Sequence, residues 1–183
     1  MLNTLVFSNE LNKRRKFSVI ANKIIVDKIK TIIPDIEIDH LDELYPDEKI
    51  NVKAEQEKLL RNDTIIFQFP MYWHTRPYLL SKWFEVVYEP GFAYGGEGSK
   101  LKDKRIIISV TMENPENFHS GEISLDNIMS PFKSTVKFTE QKFAGYIVTG
   151  GISMNIKNMP DLLKEKTSEL EKHAEKLAKM AKN

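Results

Sequence analysis

Five short β-rich runs alternating with longer helical patterns predict a doubly wound α/β fold: a five-stranded parallel sheet of order 2-1-3-4-5 with helices on both faces. Three observations carry that expectation. The alternation is regular, the run at 64–69 (TIIFQF) is apolar enough to be buried on both sides, and a βαβ connection takes a right-handed crossover.

Leu2–Phe7 reads as the first strand, without the basic flank or small-residue cleavage site of a signal peptide. A polar, basic loop leads into a helix over 17–33, where Ile20, Ile24, Ile25, Ile29 and Ile32 recur at helical spacing and Pro34 ends the pattern. Ile36–His40 alternates as a second strand, Leu44–Asp47 is a turn, and Val52–Arg61 is a helix. Thr64–Phe69 is the third strand. After it, Pro77 opens a helix over Leu79–Val87, as proline suits a first turn. A glycine-rich loop at 90–100 precedes the fourth strand, Arg105–Val110. Ile123–Phe138 is helical with a kink or break at Pro131, Phe143–Thr149 is the fifth strand, and Leu162–Met180 is an amphipathic closing helix.

The 183 residues, 41% hydrophobic and 29% charged, suit one globular domain spanning 1–183. A net charge of +1 gives no general reason to expect nucleic acid or an anionic membrane as partner, and no apolar stretch is long enough to span a bilayer. Cysteine is absent, which excludes disulfides and thiolate chemistry; a cytoplasmic protein is the expectation. His40, His74, His119 and His173 are scattered without i,i+4 pairing, so no metal site is expected.

In doubly wound sheets ligands sit beyond the carboxyl ends of the strands, which directs attention to the loops at 8–17, 70–76 and 111–122. The first, SNELNKRRKF, crowds Lys13, Arg14, Arg15 and Lys16 against a helix N-terminus; it is either a solvated basic loop or an anion site, and it has no glycine for a P-loop. The second continues FQFPMYWHTRP, placing Met71, Tyr72, Trp73 and His74 where a turn is ordinarily polar. One such aromatic is readily absorbed by a core, whereas three large side chains in series call for a flat apolar ligand.

FQFPMYWHTRPYLLSKWFE, followed by EPGFAYGGEGSKLKDKRIIISVT, resembles the flavodoxin-fold NAD(P)H:quinone oxidoreductases. That family includes mammalian quinone reductases, bacterial general-stress oxidoreductases and ancillary subunits of potassium-efflux systems. The likeness is ungapped over 63–111 and extends upstream through LYPDEKINVKAEQEKLL. It implies a flavodoxin-like three-layer sandwich, a bound flavin (FMN rather than FAD), NAD(P)H as co-substrate, and a homodimer with sites at the interface. On matching positions Pro70, Met71, Tyr72, Trp73 and His74 would line the isoalloxazine, and Ser8, Ser18 and Asn22 would flank the phosphate. Phe92 and Tyr94 would wall the pocket from the dimer side.

Two departures from the family pattern stand out. Ser8-Asn9 replaces the usual His-Pro, and Thr111-Met112-Glu113-Asn114 replaces Thr-Thr-Gly-Gly at the flavin's pyrimidine edge. The second loses backbone freedom and brings a carboxylate where negative charge develops on reduction. Where relatives carry Tyr and His in the loop after strand four, this chain has Phe118 and His119; His119 is either a proton relay or a solvated histidine. The expected activity is hydride transfer from NAD(P)H through FMN to a quinone or similar acceptor. A flavin-binding accessory subunit and a flavin-free dimeric scaffold are the alternatives.

Overall fold

The computed structural model describes residues 3–8, 16–96, 99–153, 156 and 158–183, and for the first helix the side chains from residue 20 onward. Five parallel strands run β1 (Thr4–Ser8), β2 (Glu37–His40), β3 (Thr64–Pro70), β4 (Arg105–Thr111) and β5 (Lys142–Thr149), in the spatial order 2-1-3-4-5. The register aligns Phe7 with Phe67 and Phe67 with Ile108. β1 and β3 are buried along their whole length, as expected for strands with helices above and below.

Side chains on a strand alternate between faces, and the two faces are closed by different helices. Leu5, Phe7, Ile65, Phe67, Ile106 and Ile108 pack towards α3 (Val52–Arg61), α4 (Tyr78–Val87) and α6 (Ser130–Phe138), which contribute Leu59, Trp83, Phe84 and Phe132. Val6, Ile66 and Ile107 face α1 (Lys16–Ile32) and α7 (Pro160–Lys182), which contribute Ala21, Ile25, Ile29, Leu170, Ala174 and Leu177. Two four-residue helices complete the set, α2 (Leu41–Leu44) and α5 (Leu125–Ile128).

The first face is aromatic. Trp83 lies 4.6 Å from Phe7, Phe84 lies 4.8 Å from Phe67, and Phe132 lies 5.7 Å from Phe69, ring centroid to centroid. Beside this cluster the fully buried Glu55 accepts from Trp83 Nε1 (2.8 Å), Tyr45 Oη (2.6 Å) and Lys58 Nζ (2.7 Å), so its charge is matched by three donors.

Pro131 falls in the first turn of α6, so the helix expected over 123–138 is broken there into α5 and α6. Between β4 and β5 the register shifts by one residue: Ile106 pairs with Phe143, but Ile107 pairs with Gly145. This bulge sets two β5 residues, Ala144 and Gly145, against one on β4.

Candidate functional site

The carboxyl ends of β3 and β4 are laced together before their loops diverge. Pro70 pairs with Thr111, and Met71 N donates to Thr111 O at 2.8 Å. Tyr72 and Thr75 then exchange two backbone hydrogen bonds of 3.0 Å, closing a two-residue turn on Trp73 and His74. Both central residues have positive φ, 50° and 61°, the signature of a type I′ turn that ordinarily uses Asn-Gly. Such conformations cost bulky residues about 1 kcal/mol or more each. The turn leaves Trp73 89% exposed. Pro77 closes the loop and starts α4, and Arg76 anchors it: the guanidinium lies 4.7 Å over Phe84 and 5.3 Å over Phe132, donates to Ser81 Oγ, and is pushed down in pKa by burial.

The opposite wall follows β4. Met112 is buried; its N–H donates to Thr149 O at 3.0 Å and its carbonyl accepts from Ile152 at 2.9 Å. Asn114 O accepts from Gly151 N at 3.1 Å. A Cβ on Gly150 would sit 2.6 Å from Asn114 O and 2.7 Å from Glu116 N. The glycines missing from the β4 loop are thus answered by Gly150-Gly151 after β5, which let the neighbouring backbone close on 114–116. Short 3₁₀ turns at Glu116–Phe118 and Gly121–Ile123 bring His119 back against His74, 5.6 Å between ring centroids at 70°. His119 Nδ1 is buried and has no hydrogen-bond partner among the described residues.

Between the walls lies a cavity of about 210 Å³ lined by Met71, Trp73, His74, Met112, Glu113, Asn114 and His119. Seven of the sequence-derived site residues therefore converge within one chain. Pro70 and Thr111 are buried beneath the cavity, and Tyr72 is half-buried beside it. Ser8 is buried at the end of β1.

Asn22, expected to flank the phosphate, sits on the inward face of α1. It is fully buried, donates from Nδ2 to Thr111 Oγ1 at 3.1 Å, and accepts from Gln68 Nε2. Its place three and seven residues before Ile25 and Ile29 puts it on the core stripe of α1. Ser18 lies in α1 with its side chain outside the described residues, and Asn9 and Lys13 to Arg15 lie outside them altogether.

Phe92, expected on the pocket wall, is 4% exposed and part of the aromatic core, because its ring packs inward from the loop after α4. Tyr94 is half-buried against Phe138, 5.3 Å between centroids, and Phe118 is half-exposed beside His119. Neither lines the cavity.

Sequence reasoning missed Arg76, Gly150 and the buried polar residues Gln68, Ser109 and His173. A signal existed for the last three: each interrupts an otherwise apolar inward pattern, in TIIFQF, RIIISV and the α7 stripe. Among the described residues no three His, Asp or Glu gather as a metal site, and no helix is long and apolar enough to cross a membrane.

Residues 3–174 match the family described as flavodoxin-like fold. An uncharacterized NAD(P)H oxidoreductase of Bacillus subtilis (strain 168), YdeQ, is 33% identical over 70% of this chain and 61% of its own. The glutathione-regulated potassium-efflux system ancillary protein KefF of Enterobacter sp. (strain 638) is 44% identical over 50% of this chain and 51% of its own. The matched stretches thus span between half and two thirds of the length of these curated relatives. General stress protein 14 of Treponema denticola, solved in complex with FMN, superposes with a TM-score of 0.82 at 25% identity, covering 97% of each chain. With a match that runs over residues 3–174 and a parallel sheet of order 2-1-3-4-5, this chain belongs to the flavodoxin-like fold family.

Proposed function

We propose that the protein is an FMN-dependent NAD(P)H oxidoreductase that reduces a quinone or a similar small planar acceptor. The observation that carries this reading is the cavity at the β3–β4 carboxyl end, whose one wall is a strained turn holding Trp73 in the open and whose other wall is the Met112–Asn114 backbone. A solvent-facing type I′ turn has no folding reason to use Trp-His, whereas a flat ring laid against it gives both residues a partner. The central amides of such a turn, those of Trp73 and His74, take no part in its two hydrogen bonds and remain as donors to a heteroaromatic edge. The FMN in the Treponema denticola structure, and the NAD(P)H oxidoreductase name of YdeQ, support the choice of cofactor and co-substrate.

Bound FMN would supply a two-electron redox centre between NAD(P)H and the acceptor. The chain's own residues position and exclude. Trp73 and Met71 would cover apolar ring surface, and Asn114 would offer a donor to its polar edge. Glu113 stands on the same wall, and its carboxylate opposes negative charge accumulating there. His119, with Nδ1 buried and unmatched among the described residues, would exchange a proton with the acceptor; its position on the cavity wall supports that role. The phosphate would lie towards Ser8 and the N-terminus of α1, whose first turn carries no acidic residue. A second copy would cover the exposed Phe138 and its neighbour Tyr94, making the unit a homodimer. The match to KefF favours one second reading, a flavin-binding accessory subunit of a partner protein.

Titration with FMN tests the reading. The chain is expected to bind FMN, turn yellow and oxidise NAD(P)H when a quinone is present. Trp73→Ala is expected to weaken FMN binding about threefold to tenfold, the worth of one aromatic contact. A colourless protein whose melting temperature ignores FMN overturns the proposal; flavin binding without turnover selects the accessory subunit.

A further inference from the structure

Between the sheet and the α1/α7 pair, six polar side chains are buried in one continuous hydrogen-bonded row, and none lines the candidate cavity. Thr149 Oγ1 meets His173 Nδ1 at 2.8 Å, and His173 Nε2 meets Ser109 Oγ at 2.7 Å. Ser109 Oγ donates to Gln68 Oε1, Gln68 Nε2 donates to Asn22 Oδ1, and Asn22 Nδ2 donates to Thr111 Oγ1 at 3.1 Å.

Proton counting gives the row a direction. With Gln68 Oε1 facing Ser109, the single hydroxyl proton of Ser109 goes to Gln68, so Ser109 accepts from His173, whose Nε2 then carries the proton. Nδ1 is then the acceptor, and Thr149 donates to it. Five donors in succession point from β5 through α7, β4, β3 and α1 to Thr111. Bonds aligned in this way polarise one another. The row ends on a residue that ties both cavity walls, since the Thr111 carbonyl holds Met71 and its next neighbour is Met112.

We infer that His173, on the C-terminal helix, is a positioning residue for the 111–114 wall of the cavity, acting through Ser109, Gln68 and Asn22 on Thr111. Its bearing on cofactor affinity rests on the flavin reading above; its structural content does not.

Nitrogen NMR of the full chain, ¹⁵N-labelled and free of flavin, provides the test. Imidazole shifts are expected to show His173 protonated at Nε2 and bare at Nδ1 at neutral pH. Ser109→Ala is expected to move the backbone amide signals of Met112 and Glu113 and to weaken FMN binding about fivefold, the scale of one neutral hydrogen bond. Ser109→Thr, which keeps the hydroxyl, is expected to restore both. A proton on Nδ1 overturns the direction of the row. A folded Ser109→Ala chain with unmoved 112–113 amides overturns the positioning role, because a plain core plug would lower the melting temperature without reaching that wall. Should Ser109→Ala not fold, His173→Phe removes the imidazole from the row, and movement or stillness of the same two amides decides the matter. A wild-type chain that binds no FMN ends the flavin reading and leaves the row judged on its NMR signals alone.

Discussion

The two faces of the sheet solve the same burial problem with different chemistry. Towards α3, α4 and α6 the strands meet rings: Phe7, Phe67 and Phe69 lie against Trp83, Phe84 and Phe132. Towards α1 and α7 the amino-terminal half is apolar, with Val6, Ile66 and Ile107, while the carboxyl half carries Gln68, Ser109, Thr111 and Thr149 beside Ile147. Apolar contacts tolerate small shifts, whereas a closed row of donors and acceptors is satisfied in one arrangement and expensive in others. The difference teaches where tolerance is permitted. The aromatic face holds the fold, and the polar row lies directly under the loops that form the cavity.

Three perturbations would break or sharpen this contrast. The largest belongs to the aromatic face. Trp83→Ala removes a fully buried ring and leaves Glu55 short of one donor, so unfolding in denaturant should show a loss of about 3–5 kcal/mol. The second reads the polar row through pH. Burial, with a lesser push from Lys176, pulls the pKa of His173 down from its ordinary value to about 3; Lys166, Lys172, Glu116 and Glu169 line with it a second cavity, between β5 and α7. The unfolded chain therefore takes up a proton below about pH 6.5 that the folded chain refuses until about pH 3. The contribution is complete above that upper value and is lost as pH falls through the window, at up to about 1.4 kcal/mol per pH unit. Unfolding at pH 7 and pH 4 should show a shallower loss for His173→Phe than for the wild type; equal slopes would mean that the imidazole is not held neutral.

The smallest effect has the opposite sign. Replacing Trp73 with Asn and His74 with Gly installs the residues that a type I′ turn prefers, which should stabilise the chain by about 1 kcal/mol in a thermal melt while removing one cavity wall. A gain in stability together with lost FMN binding would mark the turn as a place where folding yields to ligand.

Much of the architecture is legible in the sequence because the signals are local. Uninterrupted runs such as TIIFQF and RIIISV, proline stops and the α7 stripe need no tertiary knowledge to be read. The cavity-lining stretch 71–74 is legible for another reason, its apolar surface being out of place in a loop. What escapes depends on neighbours distant in sequence. The loop at 111–114 reads as having lost its glycines, yet the close approach it needs is provided by Gly150, about 35 positions downstream. Asn22 reads as a helix-end polar group until Gln68 and Thr111 are seen to meet it. Helix α2 goes unread, only Leu44 falling in the turn expected over 44–47, since four residues give no period. His173 shows as a polar break in the α7 stripe, but its partners stay hidden because a histidine in a helix says nothing of the hydroxyls it will find.

The one-residue shift between β4 and β5 has a further consequence. Below it, Phe143 faces the aromatic layer; above it, parity is reset, so that Ile147 and Thr149 turn to α7 while Tyr146 and Val148 turn away. A strand that ran straight through Gly145 without the bulge could keep the lower pairings intact, but every side chain beyond would swap sides, burying the threonine hydroxyl among rings and swinging an isopropyl group towards the imidazole. A single backbone residue without a side chain thus acts as the parity bit of the edge strand.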